Sequence, residues 1–200
     1  DRDLAEKDWV VLLTDPRTGH TAGFSTLCLL EEEVQGDHVR AFFSGDTIID
    51  RACWGALALE KAWIRHAFTL IDREPACRWY WFLICKGYRT YRYLPVYFHR
   101  FYPSCVEAPA ETAVLHHLAR RKFGGDYDAA RGIIRRPADY RLRPAVGDIT
   151  ERELRDPHIR YFQQRNPGWA AGDELACLTE LSRANLKRMA LRMLDAGGAE

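Results

Sequence analysis

The spacing of apolar positions changes along the chain, and each change predicts an element. Trp9-Val10-Val11-Leu12-Leu13 is a β-branched run led by an aromatic residue and reads as a strand. Thr14-Asp15-Pro16-Arg17-Thr18-Gly19 carries Pro and Gly where a hairpin turn needs them. The return strand runs from His20 to about Glu31, long enough to bend or bulge near Gly23. Gln35-Gly36-Asp37 turns the chain into Val39-Arg40-Ala41-Phe42-Phe43, so three antiparallel strands in meander order are expected.

Ser44-Gly45-Asp46-Thr47-Ile48-Ile49-Asp50 is then expected to leave the third strand as a loop and enter a helix. From Ala56 to Ile71, apolar Leu59, Trp63, Ala67 and Leu70 recur at helical spacing, with Lys61, Arg65 and Asp72 on the other side. After Glu74-Pro75, the unbroken run Trp79-Tyr80-Trp81-Phe82-Leu83-Ile84-Cys85 fits a strand buried on both faces, as in a parallel pair. Strand, crossover helix and second strand together predict a right-handed parallel unit.

Beyond Gly87, the aromatic stretch Tyr88 to Tyr102 predicts a short helix, started or kinked by Pro95 and ended before Pro103. Glu111 to Phe123 reads as another helix, closed by Gly124-Gly125. The polar, Arg-rich stretch 126–160 is broken by Pro137, Pro144 and Pro157 and is expected to be mostly loop with short helices. Asn166-Pro167-Gly168 is a turn, and Glu174-Leu175-Ala176-Cys177-Leu178 is a late strand. Ser182 is placed to cap a last helix from Arg183 to Leu194.

Composition narrows the functional classes. The 200 residues are 47% hydrophobic and 28% charged, which excludes a disordered tail protein and a disulfide miniprotein. With 29 basic and 28 acidic residues the net charge is +1, so bulk electrostatics give no case for nucleic acid. No run approaches the length of a membrane span, and Asp1 to Lys7 lacks the apolar core of a signal peptide, so a cytoplasmic protein is expected. An aromatic content of 12% is enough to build a core and still line a pocket or an oligomer interface.

Candidate chemistry is narrowed in the same way. Six scattered cysteines (Cys28, Cys53, Cys77, Cys85, Cys105, Cys177) include no C-x-x-C pair, so reduced thiols and no zinc site are expected. His116 and His117 point in different directions on a helix, and no His, Asp and Glu set has metal-ligand spacing. A G-x-S-x-G elbow and a phosphate-binding G-x-x-x-x-G-K-[ST] loop are both absent, which weighs against serine hydrolases and P-loop enzymes.

The order of meander, strand, loop, helix, buried parallel strand and aromatic helix resembles the core of the GNAT acyltransferases, over about residues 9–103. In that family the loop before the helix follows Arg/Gln-x-x-Gly-x-Gly/Ala and offers amides to the donor's pyrophosphate at a helix N-terminus. Here Arg51-Ala52-Cys53-Trp54-Gly55-Ala56 matches at Arg51 and Ala56 and departs at Trp54, where glycine is expected. The resemblance therefore implies a donor-binding set of Thr47, Ile48, Ile49, Arg51, Ala52, Cys53, Trp54, Gly55 and Ala56. It also implies an α+β fold in one domain, with a mixed central sheet flanked by helices and a helical extension over about 104–200. The family's usual opening strand and helices have no counterpart in the residues before Trp9.

What the resemblance implies chemically is acyl transfer without an acyl-enzyme. An amine-type small-molecule acceptor attacks a thioester carried by acyl-CoA or by the phosphopantetheine arm of an acyl carrier protein. Asp46, at the end of the third strand, is the candidate general base, while Tyr97 or Tyr91 is the candidate acid for the leaving thiolate. The many aromatic residues favour a long or bulky acyl group, as in the branches that make N-acyl amino acids or acyl-homoserine lactones. Two rival classes stay open. One is a non-catalytic module of the same fold that docks a carrier protein or partner subunit; the other is a hydrolase or cyclase using Cys53 or Cys85.

Overall fold

One mixed sheet organises the chain, in the order β1 (Trp9–Thr14), β2 (Thr21–Val34), β3 (Asp37–Ser44), β5 (Arg78–Cys85), β8 (Glu174–Glu180), β7 (Ile133–Ile134) and β6 (Tyr127–Asp128), with β4 (Thr47–Ile49) pairing with β2. The computed structural model describes residues 5–44, 46–53, 55, 57–106, 112–137, 140–141 and 148–195; Gly45, Trp54, Ala56, Glu111 and Pro144 lie outside the described residues. β1 (Trp9–Thr14), β2 (Thr21–Val34) and β3 (Asp37–Ser44) form the expected antiparallel meander. The second turn is a two-residue hairpin in which Gln35 (φ 56°) and Gly36 (φ 89°) both take the left-handed conformation that matches strand twist.

The expected bend near Gly23 is a register shift, with Leu13 opposite Gly23 and Thr14 opposite Thr21. Glycine is required there, because a Cβ would stand 2.8 Å from the Ile48 carbonyl oxygen. That oxygen belongs to β4 (Thr47–Ile49), a strand where the sequence predicts a loop. β3 stops pairing at Cys28, which leaves the first half of β2 with an open edge that β-branched Thr47, Ile48 and Ile49 fill. Three residue steps on β2, Cys28 to Ser25, face four on the opposite chain, Phe43 to Thr47. β3 and β4 are thus one strand broken by a one-residue bulge.

α1 (Ala58–Ile71) carries the chain from β4 to β5 (Arg78–Cys85), which runs parallel to β3 from Val39 opposite Arg78 to Ser44 opposite Leu83. Along β5, Trp79, Leu83 and Cys85 pack on one face, while Tyr80 and Phe82 pack on the other. Both faces are covered, which is why that run is continuously apolar. Two single turns follow, α2 (Tyr88–Tyr91) and α3 (Tyr93–Tyr97), in place of one aromatic helix. α4 (Thr112–Phe123) covers the opposite face through Val114, Leu115, Leu118 and Ala119.

The chain beyond residue 104 returns to the same sheet. β6 (Tyr127–Asp128) and β7 (Ile133–Ile134) form a minimal hairpin. α5 (Pro157–Arg165) starts on Asp156, whose carboxylate accepts the His158 backbone N–H. β8 (Glu174–Glu180) then inserts antiparallel beside β5. The last helix is shorter than its pattern predicts. Arg183–Asn185 is a 3₁₀ turn without a Ser182 side-chain cap, and α6 spans Arg188–Asp195. The interruption has a physical cause: Asn185 is fully buried, accepts the Arg100 N–H and donates to the Arg100 and Glu180 carbonyls. The fold is a mixed central sheet flanked by helices, the arrangement that the GNAT resemblance implies.

Candidate active site

A cleft of about 550 Å³, part of it open to solvent, lies at the end of β3. Ser25 of β2, Ser44 of β3, Thr47 of β4 and Trp81 of β5 line its sheet side. The first two turns of α1 supply Leu59, Glu60, Trp63 and Ile64. Tyr93, Tyr97 and Phe98 close it from the segment after β5, and Met193 closes it from α6. The cleft therefore lies at the C-terminal end of a β-α-β unit, where loops diverge and ligands of open α/β sheets are held.

Most polar groups on these walls satisfy one another. Trp81 Nε1 donates to Ser44 Oγ at 2.7 Å, and the Ser25 and Thr47 hydroxyls share a hydrogen bond of 2.9 Å. Tyr93 donates its hydroxyl to Glu60 Oε1 at 3.3 Å. Tyr97 differs. Its ring stacks on Tyr93 at 6.0 Å, and its hydroxyl has no partner among the described residues. Burial, then the Glu60 carboxylate, push the Tyr97 phenol up to about 12, so it remains a proton donor at neutral pH. The same two causes raise Tyr93 further. Trp63 Nε1 is buried without a partner among the described residues.

The structure separates the two tyrosines named as candidate acids. Tyr91 is fully buried, donates to the Pro103 carbonyl at 2.7 Å and does not line the cleft. Burial raises its phenol far above the ordinary range. Asp46 is not a wall residue either. It pairs with Lys7 at 2.9 Å and accepts the Thr26 hydroxyl at 3.2 Å, and its backbone oxygen accepts the Thr26 N–H.

Of the residues named for donor binding, Thr47 alone faces the cleft among those described. Ile48 is exposed, opposite Phe24, and Ile49 pairs with Gly23. Asp50 caps the 3₁₀ turn Arg51–Cys53, its side chain accepting the Ala52 N–H and its carbonyl the Cys53 N–H, each at 2.8 Å. Those two amides are thereby occupied. Gly55 is exposed at φ +88°, and Leu57 precedes α1 in the left-handed conformation without a side-chain cap. Trp54 and Ala56 lie outside the described residues.

Glu60 is the wall residue that the sequence concealed. It sits in the first turn of α1 between buried Leu59 and exposed Lys61 and carries no motif that would separate it from a solvated helix carboxylate. Among the described residues no Lys, Arg or His pairs with it. No three His, Cys, Asp or Glu side chains among those residues gather as a metal site, and no described helix is long and apolar enough to cross a membrane.

No protein-family model matches the sequence, and no curated protein is significantly similar to it. Among solved structures, the chain is similar to a mutant of the AtaT toxin bound to the C-terminus of the antitoxin AtaR and acetyl-CoA. That likeness covers 39% of this chain and 51% of the other, at 14% identity and a TM-score of 0.32. The matched part is about half of the toxin's length. An overlap of that size assigns neither activity nor substrate.

Proposed function

We propose that the chain is an acyltransferase that moves an acyl group from a thioester donor, acyl-CoA or acyl carrier protein, to an amine. One observation carries this reading. Tyr97 keeps its proton, has no partner for its hydroxyl among the described residues, and lies in a largely apolar cleft beside Glu60 at the end of β3. The amine nitrogen attacks the thioester carbon, forming the C–N bond, and the C–S bond breaks with its electron pair going to sulfur. Tyr97 donates a hydrogen bond to that sulfur and supplies the proton as charge develops. The amine gives its proton to Glu60 or, through water, to Asp46.

Arg51 and the uncapped first turn of α1 are the groups offered to the donor's phosphates. The test is a thermal shift with free CoA, acetyl-CoA, a long-chain acyl-CoA and an acyl carrier protein. A donor at 100 times its Kd adds roughly 2.7 kcal/mol of stability. Arg51→Ala is expected to weaken donor binding. A second reading is a non-catalytic module that docks a carrier protein, favoured by the occupied amides of Ala52 and Cys53. It is supported if carrier protein binds and no thiol is ever released.

A further inference from the structure

We propose that the cleft is an aromatic cage for an organic cation, and that the acceptor carries a substituted ammonium group seated between its rings and the Glu60 carboxylate. The inference rests on the reading of this cleft as the acceptor's site and names the class of molecule that enters it.

The rings form a connected wall. Trp63 and Trp81 lie 4.7 Å apart, Trp81 and Tyr93 6.5 Å, and Tyr93 and Tyr97 6.0 Å. Aromatic faces carry the negative part of a quadrupole, and a cation within about 6 Å of several of them is held without hydrogen bonds. Elsewhere the protein covers such faces with its own cations: Arg40 over Trp79, Lys122 over Phe43, and Arg136 over Phe123. Among the described residues, no Lys or Arg stands over the cleft rings.

Glu60 supplies the counter-charge. Among the described residues it is the one carboxylate on the cleft wall, and no described basic side chain lines that wall to balance it. Tyr93 holds one of its oxygens at 3.3 Å, which fixes the carboxylate at the cage. A bare ammonium is strongly hydrated and gains little from apolar walls. An alkylated ammonium is less hydrated, presents C–H groups to the rings and still meets the carboxylate. A neutral apolar guest would leave Glu60 buried without a partner charge.

The test compares choline with its uncharged carbon isostere, 3,3-dimethyl-1-butanol, by calorimetry and by the emission of Trp63 and Trp81 in the intact chain. Choline is expected to bind about tenfold more tightly than the isostere and to shift the tryptophan emission. Glu60→Gln is expected to cut choline affinity about tenfold while leaving that of the isostere unchanged. Equal affinities in the wild-type protein, or no binding of choline up to about 10 mM, would overturn the proposal without using any variant. Acyl-CoA binding is read separately by thermal shift. A protein that binds acyl-CoA and ignores choline refutes the cage alone, while one that binds choline and no thioester refutes acyl transfer.

Discussion

Tyr93 donates its hydroxyl to Glu60 Oε1 across 3.3 Å, tying the short helix after β5 to the first turn of the crossover helix. This bond ties two walls of the cleft together and fixes the orientation of the Glu60 carboxylate. Tyr93→Phe keeps the ring and removes the bond. A loss of about 1 kcal/mol in urea unfolding is expected, with a rise in acceptor KM and little change in donor KM. An unchanged acceptor KM would show that the position of Glu60 does not matter to the acceptor.

Tyr97 and Tyr91 separate chemistry from stability. Because the Tyr97 hydroxyl bonds to nothing in the described protein, Tyr97→Phe is expected to leave Tm unchanged and lower kcat about 100-fold. Tyr91→Phe orphans the buried Pro103 carbonyl, so about 1–3 kcal/mol of stability should go while kcat holds. The opposite pattern would exchange the two roles.

Asn185 binds the segment after α3 to β8 through the Arg100 N–H and carbonyl, the Thr179 hydroxyl and the Glu180 carbonyl. Asn185→Ala leaves several of these groups buried and unpaired. A destabilisation of about 3 kcal/mol is expected in urea melts, an effect far larger than its side-chain volume would suggest.

Acid should weaken the fold in a defined window. Burial lowers His66, His116 and His158 below their ordinary 6.5, with Arg73 assisting at His66 and Arg120 at His116. The unfolded chain then binds protons that the folded chain refuses, so stability falls as pH drops below 6.5 toward the folded values. His66, edge-on to Trp9 at 5.1 Å, is the group to remove. His66→Phe is expected to flatten the slope of stability between pH 7 and 5; an unaltered slope would assign it to the other two.

The thiols should sort by exposure. Cys105 is exposed with Sγ 3.4 Å from His158 Nδ1, whereas Cys28, Cys85 and Cys177 are buried. Iodoacetamide should therefore label Cys105 first in the native protein, read by peptide mass spectrometry. Activity that survives labelling of Cys53 would remove Cys53 as a nucleophile, and Cys85→Ala with activity retained would remove the rest of the cysteine mechanism.

The parts of the fold legible in the sequence were those with a strong period. The run from Trp79 to Cys85 showed burial on both faces, and Leu59, Trp63 and Ala67 showed the inner stripe of the crossover helix. Thr47–Ile49, Tyr127–Asp128 and Ile133–Ile134 are too short for any period, and they are strands only because other strands leave edges open beside them. The site was harder to read for a related reason. Ser25 and Ser44 look like ordinary strand residues, and Glu60 like ordinary helix surface, until the fold brings all three to one cleft. Asp46 is the reverse case: its place at a strand end suggested a base, yet tertiary structure pairs it with Lys7.

Release of free thiol from a long-chain acyl-CoA, followed with a chromogenic disulfide across a panel of amines, tests the account most directly. The expected result is thiol release that depends on the amine and falls about 100-fold in Tyr97→Phe. An absence of amine-dependent release, with neither CoA species nor acyl carrier protein stabilising the fold, would contradict acyl transfer at this cleft.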